Sequence, residues 1–329
     1  MAVPHIRRRP AVPREPHLRL ISSCTVKAIT PGGADDDGSG GGSVSDGKAR
    51  DQLEVTLTAT LTALAAMWTQ RTLARLTSPK TRKGTRHWQP DAQYKADQRA
   101  GSQPLDATGT VDGGRWSDEA EAAVTPVIAA AALAAAYALA ADLAGGDTPG
   151  LDSAVTFAAQ AAANAAVTMV GDAAAGLAAK VAGLVAEADQ AGAAMEEITA
   201  AARQSLDSET ATWAPGVATQ AATATIEGAR DGAAQAVASA NPDPGRAIVR
   251  VWRTRGDAKV RETHRAAAGQ TQPLGTPFAV GDSLLRYPGD PLGPLGETAN
   301  CRCRLQHKAV RSGQYVPAPS GQLARAASR

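Results

Sequence analysis

A chain of 329 residues is long enough for two domains, since globular domains commonly contain about 100 to 200 residues. Hydrophobic residues make up 43% of the chain but aromatic residues only 3%, so alanine supplies most of the apolar side chains. Because alanine buries little surface per residue, this composition excludes two ordinary aromatic-rich cores and favours long helices in close contact.

The net charge of +2 hides a strong segregation of charge along the chain. Residues 117–210 contain thirteen acidic side chains against only Lys180 and Arg203, whereas residues 302–329 contain no acidic side chain. This pattern predicts an acidic middle region that is flanked by basic segments.

Residues 1–50 are rich in Pro, Gly, Asp and Arg, and a segment of that composition cannot bury a hydrophobic core. We therefore predict a disordered N-terminal segment. An alternative hypothesis is that the gene start is mis-assigned and that translation begins near Val44.

Helical periodicity begins with residues 51–77, where apolar side chains recur on one face at Leu53, Leu57, Leu61, Leu64 and Trp68. That spacing predicts an amphipathic helix. Residues 78–116 follow, with three prolines, many glycines and a basic cluster, and they predict a basic extended connection.

Residues 117–242 predict an Ala-rich helical region. Ser117 or the residue before it is expected to cap a helix that runs to about residue 144, where Gly and Pro residues break it. Further helices are predicted over 151–189, 193–209 and 217–238, and the prolines within 241–245 end the region.

One stretch of this region, residues 123–141, is uncharged and long enough to cross a bilayer. Its alanines, its Pro126 and its acidic flanks differ from inserted helices, which favour Leu, Ile and Phe with Lys or Arg beside them. We therefore predict no membrane partner.

The composition changes again at residues 243–310, which predict a small α+β module. A strand is expected at 248–252, a helix at 257–268, a hairpin around Gly281 and Asp282, and a last strand at 301–305. Residues 311–329 predict a basic flexible tail. The expected fold class is mostly α, an Ala-rich helical body followed by a small α+β C-terminal module.

This module carries an ordered set of residues that resembles a known family. The set runs through residues 246–307 and comprises Trp252, Thr254, Asp257, Arg261, His264, Pro288, Asp290, Asn300, Cys301, Arg302 and Cys303. In this order it resembles the C-terminal signature of the phage head morphogenesis, or Mu F-like, minor capsid proteins. Family members more often have a His-Pro pair ahead of the cysteines, where this chain has Glu297 to Asn300.

The resemblance implies a role in assembly rather than an enzyme. Members of the family act in head assembly, associate with the portal protein and enter the capsid in few copies. The expectations are a portal partner, further contacts with capsid or scaffold proteins, and a location in the host cytoplasm during assembly and then in the virion head interior.

His264, Cys301 and Cys303 form a candidate metal set, because imidazole and thiolate are zinc ligands, and Asp257 or His307 could supply a fourth. One intervening residue on a strand makes ligation by both cysteines awkward. The favoured alternative is therefore that the thiols pack beneath the helix with His264 hydrogen-bonded to them. With Cys24 the cysteines are three in number, an odd set that favours a reducing compartment over disulfides.

A predicted helix at 257–268 would place Asp257, Arg261 and His264 on one face, at i, i+4 and i+7. An alternative function follows, that of a DNA-acting enzyme or a toxin-related module that uses these three residues. No nucleophile motif or phosphate loop accompanies them, so we expect a structural triad and no catalytic residue.

The basic cluster comprises Lys80, Arg82, Lys83 and Arg86, and with the acid-free stretch 302–329 it forms a candidate DNA-binding surface. Contacts to phosphates alone would bind packaged DNA weakly and without sequence preference. The alternative is that these side chains are solvated loop charges or meet an acidic surface of the portal.

Overall fold

A computed structural model describes residues 44–77, 107–144, 150–240 and 243–312. All of these residues belong to one compact unit. Four long helices are followed by a small sheet-containing module, which confirms the predicted fold class. The predictions for residues 1–43, for Lys80, Arg82, Lys83 and Arg86, and for the tail beyond residue 312 lie outside the described residues.

The described residues of the helical body form five helices. They are α1 (Val44–Leu76), the single turn α2 (Ala107–Thr110), α3 (Gly113–Ala144), α4 (Leu151–Gln190) and α5 (Met195–Ala240). The four long helices pack as a bundle, and α5 contacts each of the other three. Many buried positions of α3 and α4 are alanines, whose small side chains let the helices approach closely.

Helix α1 buries the apolar side that its periodicity predicts, including Leu53, Leu57 and Leu61. Near its C-terminal end, Trp68 stacks on Trp116 of α3 with 4.6 Å between ring centroids and meets Trp213 of α5 edge-on at 5.9 Å. Glu119 accepts the Trp68 indole N–H at 2.9 Å. Aromatic residues are rare in this chain, and three of them are concentrated where α1, α3 and α5 meet.

Two helix boundaries differ from the predictions. Helix α1 begins at Val44 rather than near residue 51. Helix α3 begins at Gly113, because the Asp112 carboxylate accepts the backbone N–H of Arg115 at 3.0 Å and so caps the helix in place of Ser117. Part of the predicted extended connection is therefore helical.

Helix α5 is continuous through Pro215, so the prediction of two separate helices is wrong. Proline removes one backbone hydrogen bond and normally kinks or ends a helix. Here Ala214 and Ala218 are both buried on either side of it, and nearly every residue from 218 to 234 is buried as well. Pro215 itself is exposed, and the helix continues through it into the buried stretch from 218 to 234, whose packing outweighs the local preference of the proline.

Two helices of the body, α3 and α4, are long and apolar enough to cross a membrane by length and composition alone. In each, 39% of the most apolar window is buried inside the protein. Both pack within the bundle against α5. The absence of a membrane partner stays a prediction.

The C-terminal module begins with strand β1 (Arg246–Arg253), the centre of a three-stranded antiparallel sheet in the order β2-β1-β5. Its remaining elements are α6 (Glu262–Ala267), β2 (Thr271–Pro273), β3 (Phe278–Val280), β4 (Ser283–Leu285), α7 (Leu295–Thr298) and β5 (Arg304–Arg311). Strands β3 and β4 form the hairpin expected at Gly281. Trp252 pairs with Leu305 across β1 and β5, and both side chains are buried in the core of the module.

Two predicted elements of the module are wrong in extent. The helix expected from residue 257 starts only at Glu262, because the Asp257 carboxylate accepts the N–H of Lys259 at 3.0 Å and forms a turn instead. Arg261 is extended and directly precedes α6. The last strand starts at Arg304 rather than at Cys301, so both cysteines precede it.

Candidate metal centre

Three of the predicted metal ligands come together in the module. His264 on α6 faces the segment between α7 and β5, where its Nδ1 lies 3.3 Å from Cys303 Sγ and 3.7 Å from Cys301 Sγ. The three potential ligand atoms lie within 4.8 Å of one another, and all three residues are buried. The arrangement is a possible metal-binding site.

The local backbone explains why both thiols reach one histidine. Asn300 has a left-handed backbone with φ of 53°, and the N–H of Cys301 bonds to Thr298 O at 3.2 Å. The chain enters the sheet only at Arg304, so the cysteines are free of strand geometry. The expectation that their spacing makes joint ligation awkward assumed a strand at this position, and that assumption is wrong.

Glu297 holds the imidazole of His264 from its far side. Glu297 Oε2 lies 3.1 Å from His264 Nε2 and accepts a hydrogen bond from Thr263 Oγ1 at 2.8 Å. When Nε2 carries the proton and donates it to Glu297, the lone pair of Nδ1 points at the two thiols. A carboxylate in this position is the usual partner of a metal-binding histidine.

Glu297 was not among the predicted site residues. It lies in the short segment where the sequence departs from the family pattern, and its place four residues before Cys301 was the available signal. Spacing alone gives no indication that α7 folds back onto α6.

The pKa values of the two thiols are shifted in opposite directions. The hydrogen bond from Cys303 lowers the pKa of Cys301 well below its ordinary value, against the effect of burial, and His264 lowers it further. The same bond, together with burial, raises the pKa of Cys303. Burial would lower the pKa of His264, but the bond with Cys301 and the charges of Cys301 and Glu297 raise it. The cluster therefore stabilises one thiolate, the form of cysteine that binds metals.

Neither predicted fourth ligand joins the cluster. Asp257 pairs with Arg302 at 2.9 Å near the surface. The His307 side chain is fully enclosed elsewhere, on β5, with its Nε2 at 3.7 Å from Asp231. Within the described ranges, no fourth His, Cys, Asp or Glu completes the group. Cys24 lies outside those ranges.

The proposed triad of Asp257, Arg261 and His264 is not assembled. Arg261 donates to the carbonyl of Ala299, while Asp257 pairs with Arg302 and His264 contacts the thiols. The helix that would have aligned them starts after Arg261. The geometry offers no shared face on which these three side chains could act together.

The helical body holds the backbone of the cysteine segment, residues 299–303 between α7 and β5. Thr223 of α5 donates its hydroxyl to Cys301 O at 2.8 Å, and Arg50 of α1 donates to Cys303 O at 3.3 Å. Glu227 accepts the N–H of Leu305 at 2.7 Å. These buried contacts join the candidate metal centre to α1 and α5, so the two parts of the protein are packed as one piece.

The remaining residues of the family signature build the module around the centre. Trp252 meets His264 edge-on at 5.8 Å, Thr254 is half-buried beyond it, and Pro288 is buried in the turn before Asp290. Asp290 fixes that turn by accepting the backbone N–H of Arg286 at 3.0 Å and of Leu292 at 3.1 Å. Comparison with protein-family models, curated proteins and solved structures finds no match. The resemblance to the head morphogenesis family stays a prediction.

Proposed function

We propose that this protein is a minor capsid protein that associates with the portal during head assembly. One observation carries the proposal. Residues of the signature that are distant in sequence, such as Trp252, His264, Asp290 and Cys303, occupy the core and turns of one small module. Such convergence is expected when a signature marks a folded unit rather than a chance series of residues.

The helical body is the proposed portal-binding part. Its four long helices form the largest continuous structure in the chain, and Phe157 on α4 is 78% exposed although it is a large apolar residue. Exposed aromatic side chains of this kind are frequent anchors at protein interfaces. Contacts with capsid or scaffold proteins would use other sides of the same body.

Co-expression with the cognate portal protein tests the proposal. We expect a complex in size-exclusion chromatography at micromolar concentration, and the protein in purified heads. Phe157→Ser should weaken the complex, whereas Leu292→Ser, at a module residue that is 82% exposed, is the matched control. A portal that elutes alone, together with heads that lack the protein, would contradict the assembly role.

We also propose that the metal of the candidate centre is zinc. Zinc bonds of about 2.05 Å to nitrogen and 2.3 Å to sulfur, at a tetrahedral angle, separate those two ligand atoms by about 3.5 Å. The distances of 3.3 and 3.7 Å from His264 Nδ1 to the two sulfurs bracket that value. Zinc would join α6 to the cysteine segment and stabilise a module whose own core is small.

Metal analysis of protein purified without chelator tests this assignment. We expect about one zinc per chain, lost in His264→Ala and in Cys303→Ser. Asp257→Asn is the matched control, since it changes a predicted ligand that lies outside the cluster and should keep the metal. Wild-type protein that contains no zinc would contradict the assignment and favour the alternative, in which the thiols pack beneath the helix with His264 hydrogen-bonded to them.

The assembly proposal includes weak contact with packaged DNA through Lys80, Arg82, Lys83, Arg86 and the acid-free tail. With about four to six phosphate contacts, log affinity should fall with log salt at a slope of roughly −4 to −5. Fluorescence anisotropy with random DNA measures this. Equal binding by a variant with these four residues replaced by Ala and truncated after Ser312, so that β5 is kept, would refute the DNA contact.

A further inference from the structure

The side chains of the zinc centre border a small cavity that the assembly role leaves unexplained. His264, Cys301 and Cys303 all line it, together with Val260, Asn300 and the cationic residues Lys259, Arg261 and Arg302. Its volume is about 10 Å³, which is about the space that one water molecule requires. A metal held by the three ligands would therefore have one small cavity beside it.

We propose that the fourth coordination position of the metal opens into this cavity and binds a small exchangeable anion, such as hydroxide. The inference rests on the proposed zinc site and adds to it a ligand that no side chain of the described residues supplies. Zinc sites with three protein ligands, including sites with two cysteines and one histidine, commonly keep their fourth position for water or a small ligand.

The neighbouring acidic residues are engaged in other contacts. Glu297 faces Nε2 of His264, the ring nitrogen opposite the thiols. Asp257 is held by Arg302 and by the N–H of Lys259. Among the residues that the structure describes, the cluster therefore ends at three ligands, and the cavity beside it has room for one ligand atom of about the size of water.

The charges around the cavity favour an anion over a neutral ligand. Zinc with two thiolates and a neutral imidazole carries no net charge, so one added anion makes the centre negative. Lys259, Arg261 and Arg302 border the cavity. Arg302 is paired with Asp257, so Lys259 and Arg261 are the side chains that can offset that charge. Arg261 uses one donor on Ala299 O, and a guanidinium has five N–H donors. Bound water would likewise be favoured in its deprotonated form.

Cobalt(II) substitution in the full-length protein tests the inference, with azide as the probe anion. Cobalt bound by thiolates gives a charge-transfer band in the near ultraviolet and ligand-field bands in the visible. We expect azide to change the visible bands saturably while the charge-transfer band remains, because azide replaces the fourth ligand and leaves the cysteines bound.

Two matched substitutions locate the binding position. Lys259→Gln, at the cavity, should weaken azide binding about twofold to fivefold, the range for one exposed charge. Lys308→Gln removes a lysine from the exposed face of β5 and should leave azide binding unchanged. Equal azide affinity in both variants would contradict the cationic border as the source of anion preference.

The outcomes separate the inference from the zinc assignment on which it rests. If neither zinc nor cobalt binds, both proposals fail. If cobalt binds with thiolate charge transfer but azide leaves the visible bands unchanged, the zinc site stands and the open position is refuted. Cys24→Ser should give the wild-type spectrum, and a changed spectrum in that variant would identify Cys24 as the fourth ligand and overturn the inference.

Discussion

The helical body and the C-terminal module reach stability by different means. The body buries many small side chains along helices of 32 to 46 residues, and its packing is distributed over the whole bundle. The module has strands of three to eight residues and a core of a few aromatic, aliphatic and sulfur side chains. Its short elements depend instead on buried polar contacts to α1 and α5 and, as we propose, on zinc.

Several buried polar residues of α5 accordingly contact the module rather than the other helices of the bundle. Thr223, Glu227 and Asp231 lie along one helix, and each contacts a residue of the module. Polar groups that are buried must be paired, since an unpaired one costs the energy of its lost hydration. These paired contacts between α5 and the module, here called the junction, therefore fix how the module sits on α5.

The largest effect is expected at the buried ion pair of the junction. Arg250 and Asp231 lie 2.8 Å apart with side chains 1% and 6% exposed. Asp231→Ala leaves the Arg250 charge buried and should lower the free energy of unfolding by about 3 to 5 kcal/mol. Lys180→Ala, which removes an exposed pair with Glu209, should cost less than about 1 kcal/mol. Urea unfolding compares them, and equal costs would contradict a junction-dependent fold.

A smaller effect is expected from added volume inside the bundle. At Gly232 of α5 a new Cβ would lie 2.8 Å from the Cβ of Ala158 on α4, so Gly232→Ala should cost about 1 to 3 kcal/mol. Gly176 of α4 has no heavy atom within 4 Å of such a Cβ. Gly176→Ala should therefore stabilise by about 0.5 to 1 kcal/mol through helix propensity. Thermal unfolding measures both, and destabilisation by both would contradict close packing as the cause.

The smallest effect is a pH dependence that arises at the junction. Burial lowers the pKa of His307 from 6.5, and Arg230 of α5 and Arg250 of β1 lower it too, while Asp231 opposes them. A histidine with a lowered folded-state pKa contributes stability that is present above the unfolded value of 6.5 and lost as pH falls through the folded value.

Comparison of wild type with His307→Gln isolates this contribution, since other titrating groups are common to both. Between the two pKa values of His307, wild type should lose about 1.4 kcal/mol per pH unit relative to the variant. Denaturant unfolding from pH 7 to pH 5 measures the difference. A difference that stays constant, or that grows in favour of wild type as pH falls, would contradict a buried neutral His307.

Periodicity predicted the body better than the module. The spacing of Leu53, Leu57 and Leu61 identified α1, because one face of a long helix repeats the same signal many times. The break predicted between residues 209 and 217 was wrong, since the burial of α5 from residue 218 onward is a tertiary property that no local pattern reveals. In the module, the turn at Asp257 and the left-handed backbone at Asn300 precede α6 and β5 and set where they begin. A boundary that depends on one residue has no repeating pattern that periodicity could detect.

The candidate site was predictable in its chemistry and not in its geometry. Residue types alone identified His264, Cys301 and Cys303 as a candidate metal set, with plain packing of the thiols as the favoured alternative. Their convergence depends on a left-handed Asn300, and the partner Glu297 on the return of α7 to α6, both of which are set by packing. Neither proposed fourth ligand reaches the cysteines, because Asp257 is paired with Arg302 and His307 is buried on β5 beside Asp231.

Hydrogen exchange with and without a zinc chelator tests most directly whether metal holds the module while packing holds the body. We expect chelation to remove protection from the amides of β1, β5 and the cysteine segment, and to leave α3 and α4 unchanged. His264→Ala should show the same loss without chelator, and Asp257→Asn should behave as wild type. Protection in β1 and β5 that is unaffected by chelator, or lost equally throughout the bundle, would contradict this expectation.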